Sequence, residues 1–217
     1  STPLTLIKAP LEEITEREQL TSSGQSNINT ALRNVNALLR LTTNLINFER
    51  ADTYSGSLYV SEYELSTYME ETIDAFRSYA NIKHINLTYE SSFRYLNVWL
   101  DKDKMDSILK NIISNALKYT PDGGNVHVFT SETEDTWSIE VKDTGIGIPA
   151  SEQKKLFKMH FRGSNAINSK VTGSGIGLLL VGKLVHLHKG KLNFSSMEGK
   201  GSCIKITFPK GNKHFRK

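Results

Sequence analysis

The chain has one cysteine, so no internal disulfide is possible, which suits a reducing compartment. Cys203 sits in the apolar run Ser202-Cys-Ile-Lys-Ile-Thr-Phe208, where a buried, inert thiol is expected. No apolar stretch approaches the roughly 20 residues of a membrane span. No secretory signal is visible either, so the chain is expected to be soluble. A formal net charge of +4 is too small to argue for nucleic acid as a partner. The sole concentrated basic stretch, 211–217 with Lys210 before it, reads as a solvated tail or linker. Internal repeats are absent. What is present is ordinary for a globular protein: 38% hydrophobic and 23% charged residues in a chain of 217, enough for one domain and a smaller one.

The first fifty or so residues differ from the rest. Leu4, Ile7, Leu11 and Ile14 recur at three- and four-residue steps, the pattern of one helix face. After a polar break at 21–24 a second stripe runs Ile28, Leu32, Val35, Leu39, Thr42, Ile46, the heptad seam of packed helices, widened by Leu38 and Leu45. Two helices cannot hide such faces by themselves. A homodimer contributing two helices per chain to a four-helix bundle is the natural solution, with a hairpin folded back on its own domain as the alternative. From about residue 57 the pattern is mixed. Short strands are expected at 58–60, 85–90 and 96–100, a helix with the stripe Leu65, Met69, Ile73, Phe76 and Ala80, and a helix over 102–119. Strands over 126–131 and 136–143, helices over 151–159 and 177–188, and a closing hairpin of 191–196 and 202–208 follow. Strand pairs alternating with helices indicate α+β: the helical hairpin, then a two-layer α/β sandwich with a mixed sheet. The expected divisions are 1–52, 53–210 and the tail 211–217.

Three segments carry chemistry. On helix 102–119, Asn111, Asn115 and Lys118 share a face, because steps of four and three return to the same side. An amide oxygen can complete the shell of Mg²⁺, and a lysine one turn away can neutralise phosphate; a solvated polar face is the plainer reading. Asp143 ends a strand before Gly145 and Gly147, glycines that permit a tight turn and close approach to a ligand. Its carboxylate can accept the exocyclic amine of adenine, or simply serve the turn. A second Asp-Thr-Gly, which an aspartic protease needs, is missing. The third segment, Gly173-Ser-Gly175-Ile-Gly177-Leu178, lacks the ending of a P-loop and follows no strand, so it is not a dinucleotide fingerprint. It is either a loop whose amides and following helix hold phosphate, or an ordinary flexible loop. The polar segment 163–172 before it has the length of a mobile lid. His186 and His188 are spaced for a metal only on a strand; on a helix they diverge, and a structural role is expected.

In this order, Asn111-Ile-Ile-Ser-Asn115-Ala-Leu-Lys118-Tyr119-Thr, Asp143-Thr-Gly145-Ile-Gly147-Ile-Pro and Gly173-Ser-Gly175-Ile-Gly177-Leu resemble the N, G1 and G2 boxes of the histidine-kinase ATPase (GHKL) family. The resemblance implies an ATP-dependent protein-histidine kinase of a two-component system. It implies Asn115 as the Mg²⁺ ligand beside Asn111, Lys118 on phosphate, Tyr119 near the base and Asp143 reading adenine. Gly145, Gly147, Gly173, Gly175, Gly177 and Leu178 shape the nucleotide loops. Leu156-Phe-Lys-Met-His-Phe-Arg162 resembles the F box, Arg162 reaching transferring phosphate, but His160 and Met159 depart from the pattern. Gly199-x-Gly201 resembles the family's last glycine pair.

Ser1-Thr-Pro-Leu4 resembles the end of an H box, His-Glu-x-x-Thr-Pro-Leu, whose phosphoacceptor histidine would fall ahead of Ser1. The Thr-Leu-Ile-x-x-Pro-Leu-Glu continuation resembles hybrid sensor kinases. The implied function is the cytoplasmic transmitter of a sensor kinase anchored in the inner membrane. It binds Mg-ATP, passes the γ-phosphoryl to a histidine and then to a response-regulator receiver domain. This chain by itself is expected to bind ATP but not to autophosphorylate. The altered F box motivates an alternative, a degenerate kinase domain serving as a non-catalytic dimeric scaffold. A chaperone, topoisomerase or mismatch-repair relative ranks last, because those lack the heptad helix pair.

Overall fold

The computed structural model describes residues 2–53, 58–153, 156 and 177–215, without the side chains of 2, 3, 37, 40, 41 and 43–53. Two contact units divide it, Ser1–Thr53 and Tyr54–Lys217. The first holds α1 (Thr2–Arg17) and α2 (Ser22–Thr53), which pack on each other. The break between them lies at 18–21, earlier than the sequence suggested. The reason is a cap: the Thr21 hydroxyl accepts the Gly24 amide at 3.1 Å, so Ser22, Ser23 and Gly24 form a first turn rather than a loop. Val35 is the one hydrophobic side chain buried among those described here. Leu6, Ile7 and Leu38 remain 70%, 50% and 49% exposed, so a single hairpin leaves much of its apolar surface in water.

The second unit is a two-layer sandwich, as expected. Its elements are β1 (Ser61–Glu64), α3 (Leu65–Ile82), β2 (Asn86–Ser91), β3 (Asn97–Leu100), α4 (Lys102–Tyr119), β4 (Asn125–Glu132), β5 (Thr136–Asp143), α5 (Ala150–Gln153), α6 (Gly177–Leu187), β6 (Lys191–Met197) and β7 (Gly201–Pro209). The main sheet runs β2-β4-β5-β7-β6, parallel at β2–β4 and antiparallel elsewhere; β1 and β3 form a separate antiparallel pair. The expected strand at 58–60 is thus displaced. Strand pairing starts at Ser61, opposite Leu100, and the Tyr59 amide instead donates to the Asp101 carboxylate at 2.9 Å. The helix expected over 151–159 is α5, four residues long; residues 154, 155 and 157–159 lie outside the described residues.

Alternation makes the core. Val126 and Val128, Trp137, Ile139 and Val141, and Ile204, Ile206 and Phe208 all point to one face of the sheet and are buried. Against that face lie the helices: Met105, Ile108, Leu109, Ile112 and Ile113 of α4, and Leu180, Val181, Leu184 and Val185 of α6. Asp143 is the next inward position of β5, opposite Val126. The apolar alternation therefore delivers a carboxylate to the helix-facing side, just where the strand ends.

Helix ends are closed in the ordinary ways. Glu64 caps α3 and Asp101 caps α4. At the C-termini, His84 (φ 52°) and Lys189 (φ 58°) take the left-handed position, each followed by an amide reaching five residues back: Ile85 to Ala80 and Gly190 to Val185. The basic tail is not wholly a solvated end. Residues Lys213–Phe215 form a 3₁₀ turn, and the Phe215 ring meets His188 edge-on at 6.3 Å. Cys203 is half-buried rather than buried, because its register on β7 places it on the outer face of the sheet, beside Lys142 and Ser195. No helix among the described residues is long and apolar enough to cross a membrane.

Candidate functional site

The site forms where α4 ends, β5 ends and α6 begins. The apolar stripe of α4 faces the sheet, which turns Asn111, Asn115, Lys118 and Tyr119 to half-exposed positions. Asn111 is already committed within the protein. Its Nδ2 donates to the Ser107 carbonyl at 2.8 Å, and a Cβ at Gly177 would sit 2.5 Å from its Oδ1. The first residue of α6 therefore abuts this asparagine, and a larger residue there would displace the Asn111 amide. Leu178, half-buried, follows it in the first turn of α6. Asn115, one turn further along α4, makes no side-chain hydrogen bond among the described residues, so its amide oxygen is open to a ligand. Lys118 Nζ lies 3.3 Å from the Tyr119 hydroxyl and 4.8 Å from its ring centre.

The loop after β5 is stapled on two sides. Asp143 Oδ1 accepts the amides of Gly145 at 2.8 Å and Ser202 at 3.1 Å. Oδ2 accepts none among the described residues. Burial pushes this carboxyl above the usual carboxylate range, and the two amides only partly counter it. The Ile146 amide donates to the Tyr119 carbonyl at 3.1 Å, and the Ile146 carbonyl accepts from Gly199 at 2.8 Å. The glycines serve these contacts. At Gly145 a Cβ would be 2.7 Å from Asp143 Oδ1 and from the Tyr119 carbonyl oxygen. At Gly147 (φ +61°) it would be 2.0 Å from the Met197 carbonyl oxygen. The close approach that the sequence suggested for a ligand is thus made by protein backbone at both positions. Gly201 (φ +106°) packs its backbone on Asp143 in the same way.

Arg162, Gly173 and Gly175, with Phe157, Met159, His160, Phe161 and segment 163–172, lie outside the described residues. The structure brings Asn111 to Gly177, and Tyr119 to the Asp143 loop. Two contributors escaped the sequence reading: the Ser202 amide on Asp143, and Ser196, whose hydroxyl accepts the Ile148 amide at 2.8 Å and donates to the Gly201 carbonyl at 2.9 Å. Nothing local marks either residue; the glycine pair flanking their turn was the only available signal. His188 has the structural role expected of it. Its Nδ1 donates to the Leu184 carbonyl at 2.8 Å and its Nε2 accepts the Asp101 amide at 3.3 Å. Burial holds its pKa below the usual histidine value.

These residues fit Mg²⁺ and a nucleotide. Among the described residues no three His, Cys, Asp or Glu side chains gather into a cage. One uncommitted amide oxygen beside a lysine is the sort of donor set Mg²⁺ uses when phosphates complete its shell. The half-buried Asp143, with an acceptor oxygen to spare, suits a donor such as an exocyclic amine. Over residues 100–212, more than half of the chain, the sequence matches the model of the histidine kinase-, DNA gyrase B-, and HSP90-like ATPases. The chain belongs to that ATPase family. The sensor histidine kinase WalK of Bacillus subtilis (strain 168) is 32% identical over 211 residues, covering 96% of this chain and 34% of WalK. The crystal structure of full-length ShkA in complex with AMPPNP superimposes with a TM-score of 0.77 at 20% identity, over 97% of this chain and 45% of ShkA. That of ThkA in complex with the response regulator TrrA gives 0.66 at 18% identity, over 97% of this chain and 58% of ThkA. The expected likeness to sensor histidine kinases is borne out, and the family's sandwich is the fold described above. The chain spans less than half the length of the curated relatives it matches.

Proposed function

We propose that the α/β unit binds Mg²⁺–ATP and serves as the catalytic domain of a protein-histidine kinase. The γ-phosphoryl passes to a histidine of a helical bundle and then to the receiver domain of a response regulator. The observation that carries this is Asp143, a half-buried carboxylate with one oxygen held by two amides and the other left over, at the edge of an ATPase-family sandwich. In this reading Oδ2 accepts the adenine amine, and Tyr119 lies along the base. Asn115 holds Mg²⁺, and Lys118 and Arg162 meet the phosphates. Gly173, Gly175 and Gly177 let loop amides approach them, with Leu178 in the helix turn that follows. Asn111 supports the start of α6. Bound Mg²⁺ supplies charge neutralisation on the phosphates; the chain's own residues position and shield, which is most of what phosphoryl transfer demands.

The named relatives support a sensor kinase, and the ThkA–TrrA complex supports a receiver partner. The half-exposed stripe of α1 and α2 supports a homodimer built on residues 1–52, beside the catalytic part 53–210 and tail 211–217. The intact protein is read as an inner-membrane sensor with this region in the cytoplasm. None of the six histidines lies in α1 or α2, so labelled ATP should leave no label on this chain alone. The reading is tested by calorimetric titration with ADP, with and without Mg²⁺, on this chain and on Asp143→Asn. Micromolar binding, about −8 kcal/mol, that the substitution removes is the expected result. Absence of binding in the unsubstituted chain would favour the non-catalytic scaffold.

A further inference from the structure

The last four carbonyls of a helix have no partner within it, and those of α4 sit at the centre of the proposed site. Each is accounted for. Ala116 accepts the Thr120 amide at 3.1 Å and the Thr120 hydroxyl at 2.7 Å. Tyr119 accepts the Ile146 amide at 3.1 Å. Leu117 and Lys118, together with Thr120 just beyond, accept from one group: Lys83 Nζ, at 2.8, 3.3 and 2.6 Å. Lys83 is the C-cap residue of α3 and is half-buried. Among the described residues it makes no ion pair, so its ammonium is spent wholly on carbonyls. An ammonium has three donors and meets three acceptors, and its charge lies at the negative end of the α4 dipole.

We propose that Lys83 is a positioning residue for the nucleotide, fixing the last turn of α4 and thereby the placement of Lys118 and Tyr119 relative to Asp143. This rests on the nucleotide reading of the site. The coupling is short. Lys83 holds the carbonyls on either side of Tyr119, and the Tyr119 carbonyl holds Ile146 in the loop that Asp143 anchors. The Lys83 carbonyl also accepts the Gly123 amide at 3.4 Å, tying in the turn after α4. A displacement of about 1 Å in such a turn is enough to cost binding groups their alignment. Lysine suits this place better than arginine, whose planar fork matches a carboxylate rather than three fanned carbonyls.

The test compares the full chain with Lys83→Met and Lys83→Arg, titrating ADP with Mg²⁺ and following amide hydrogen exchange. The Met variant should bind ADP about tenfold or more weakly while keeping its far-ultraviolet spectrum. Exchange should quicken by about tenfold at Thr120 and Ile146 but not at Asp101, at the other end of α4. The Arg variant keeps charge and reach and should recover part of both losses. A folded Met variant with unchanged ADP affinity would overturn the proposal. So would exchange that quickens uniformly, Asp101 included, since that marks a general stabiliser. If the unsubstituted chain fails to bind ADP, the nucleotide reading falls by itself. Exchange then still decides whether Lys83 fixes the end of α4: unchanged rates at Ile146 would end that claim too.

Discussion

Asp101 and Asp143 are carboxylates drawn into the same α/β unit, and they meet opposite electrostatic fates. Burial works to raise both. At Asp101 it is outweighed by the Lys104 ammonium at 2.6 Å and by the amides of Tyr59 and Lys104, and the carboxyl lies below its usual range. At Asp143 only two amides oppose it, both on one oxygen, and the carboxyl lies above its usual range. The Asp101 region, closed by His188, Phe208 and Phe215, is complete within the protein. The Asp143 region retains an acceptor and an energetic cost that the fold does not itself remove. A group kept at a cost to stability is where a ligand is expected to make good the difference.

The comparison breaks most severely at Gly201. A methyl there would lie 1.9 Å from the Asp143 carbonyl oxygen at φ +106°, so Gly201→Ala should cost more than about 3 kcal/mol or rebuild the loop. Urea unfolding reads this, and a variant of unchanged midpoint would show that the loop is not stapled as described. Next, Asp101→Ala removes a helix cap and leaves the Tyr59 and His188-bound amides in altered surroundings. It should cost about 2–3 kcal/mol of stability while the folded fraction binds ADP as before. Weakened binding in the folded variant would merge the two regions that this comparison separates.

Acidification separates them by sign. His188, depressed by burial, stays neutral in the fold while the unfolded chain protonates near 6.5. Its contribution is therefore complete above that pH and lost as pH falls below it toward the folded pKa. Asp143 runs the other way: its raised folded pKa lets the native state take the proton first, so stability rises as pH falls toward 3.8. His188→Gln should abolish the first slope and Asp143→Asn the second, measured as urea midpoints from pH 7 to 4. The smallest effect is expected at Lys189, exposed and left-handed at φ 58°. Lys189→Gly should raise stability by about 0.5–1 kcal/mol without touching ADP affinity.

Much of this was legible beforehand where the determinant is local. The alternation Trp137, Ile139, Val141 delivers Asp143 inward, and the stripe on 102–119 leaves Asn111, Asn115 and Lys118 facing out. The errors are local overrides: Thr21 caps a turn of Ser-Ser-Gly that composition reads as a break, and apolar Leu58 and Val60 flank an amide taken by Asp101. What was illegible depends on partners far along the chain. Lys83 meets Leu117 across 34 positions and Ser202 meets Asp143 across 59. A lysine at a helix end and a serine in a strand have no signature of their own.

The account stands most directly on what Asp143 Oδ2 accepts. Asparagine keeps an oxygen for the amides of Gly145 and Ser202 but can place a donor where Oδ2 stood. Titration of ADP and GDP into the unsubstituted chain and Asp143→Asn measures this. The account predicts ADP binding at least about 100-fold tighter than GDP, roughly 2.7 kcal/mol. In Asp143→Asn, ADP binding should collapse to the GDP level while the fold is as stable or more so. Equal affinity for the two nucleotides, or ADP binding that survives the substitution, would contradict it.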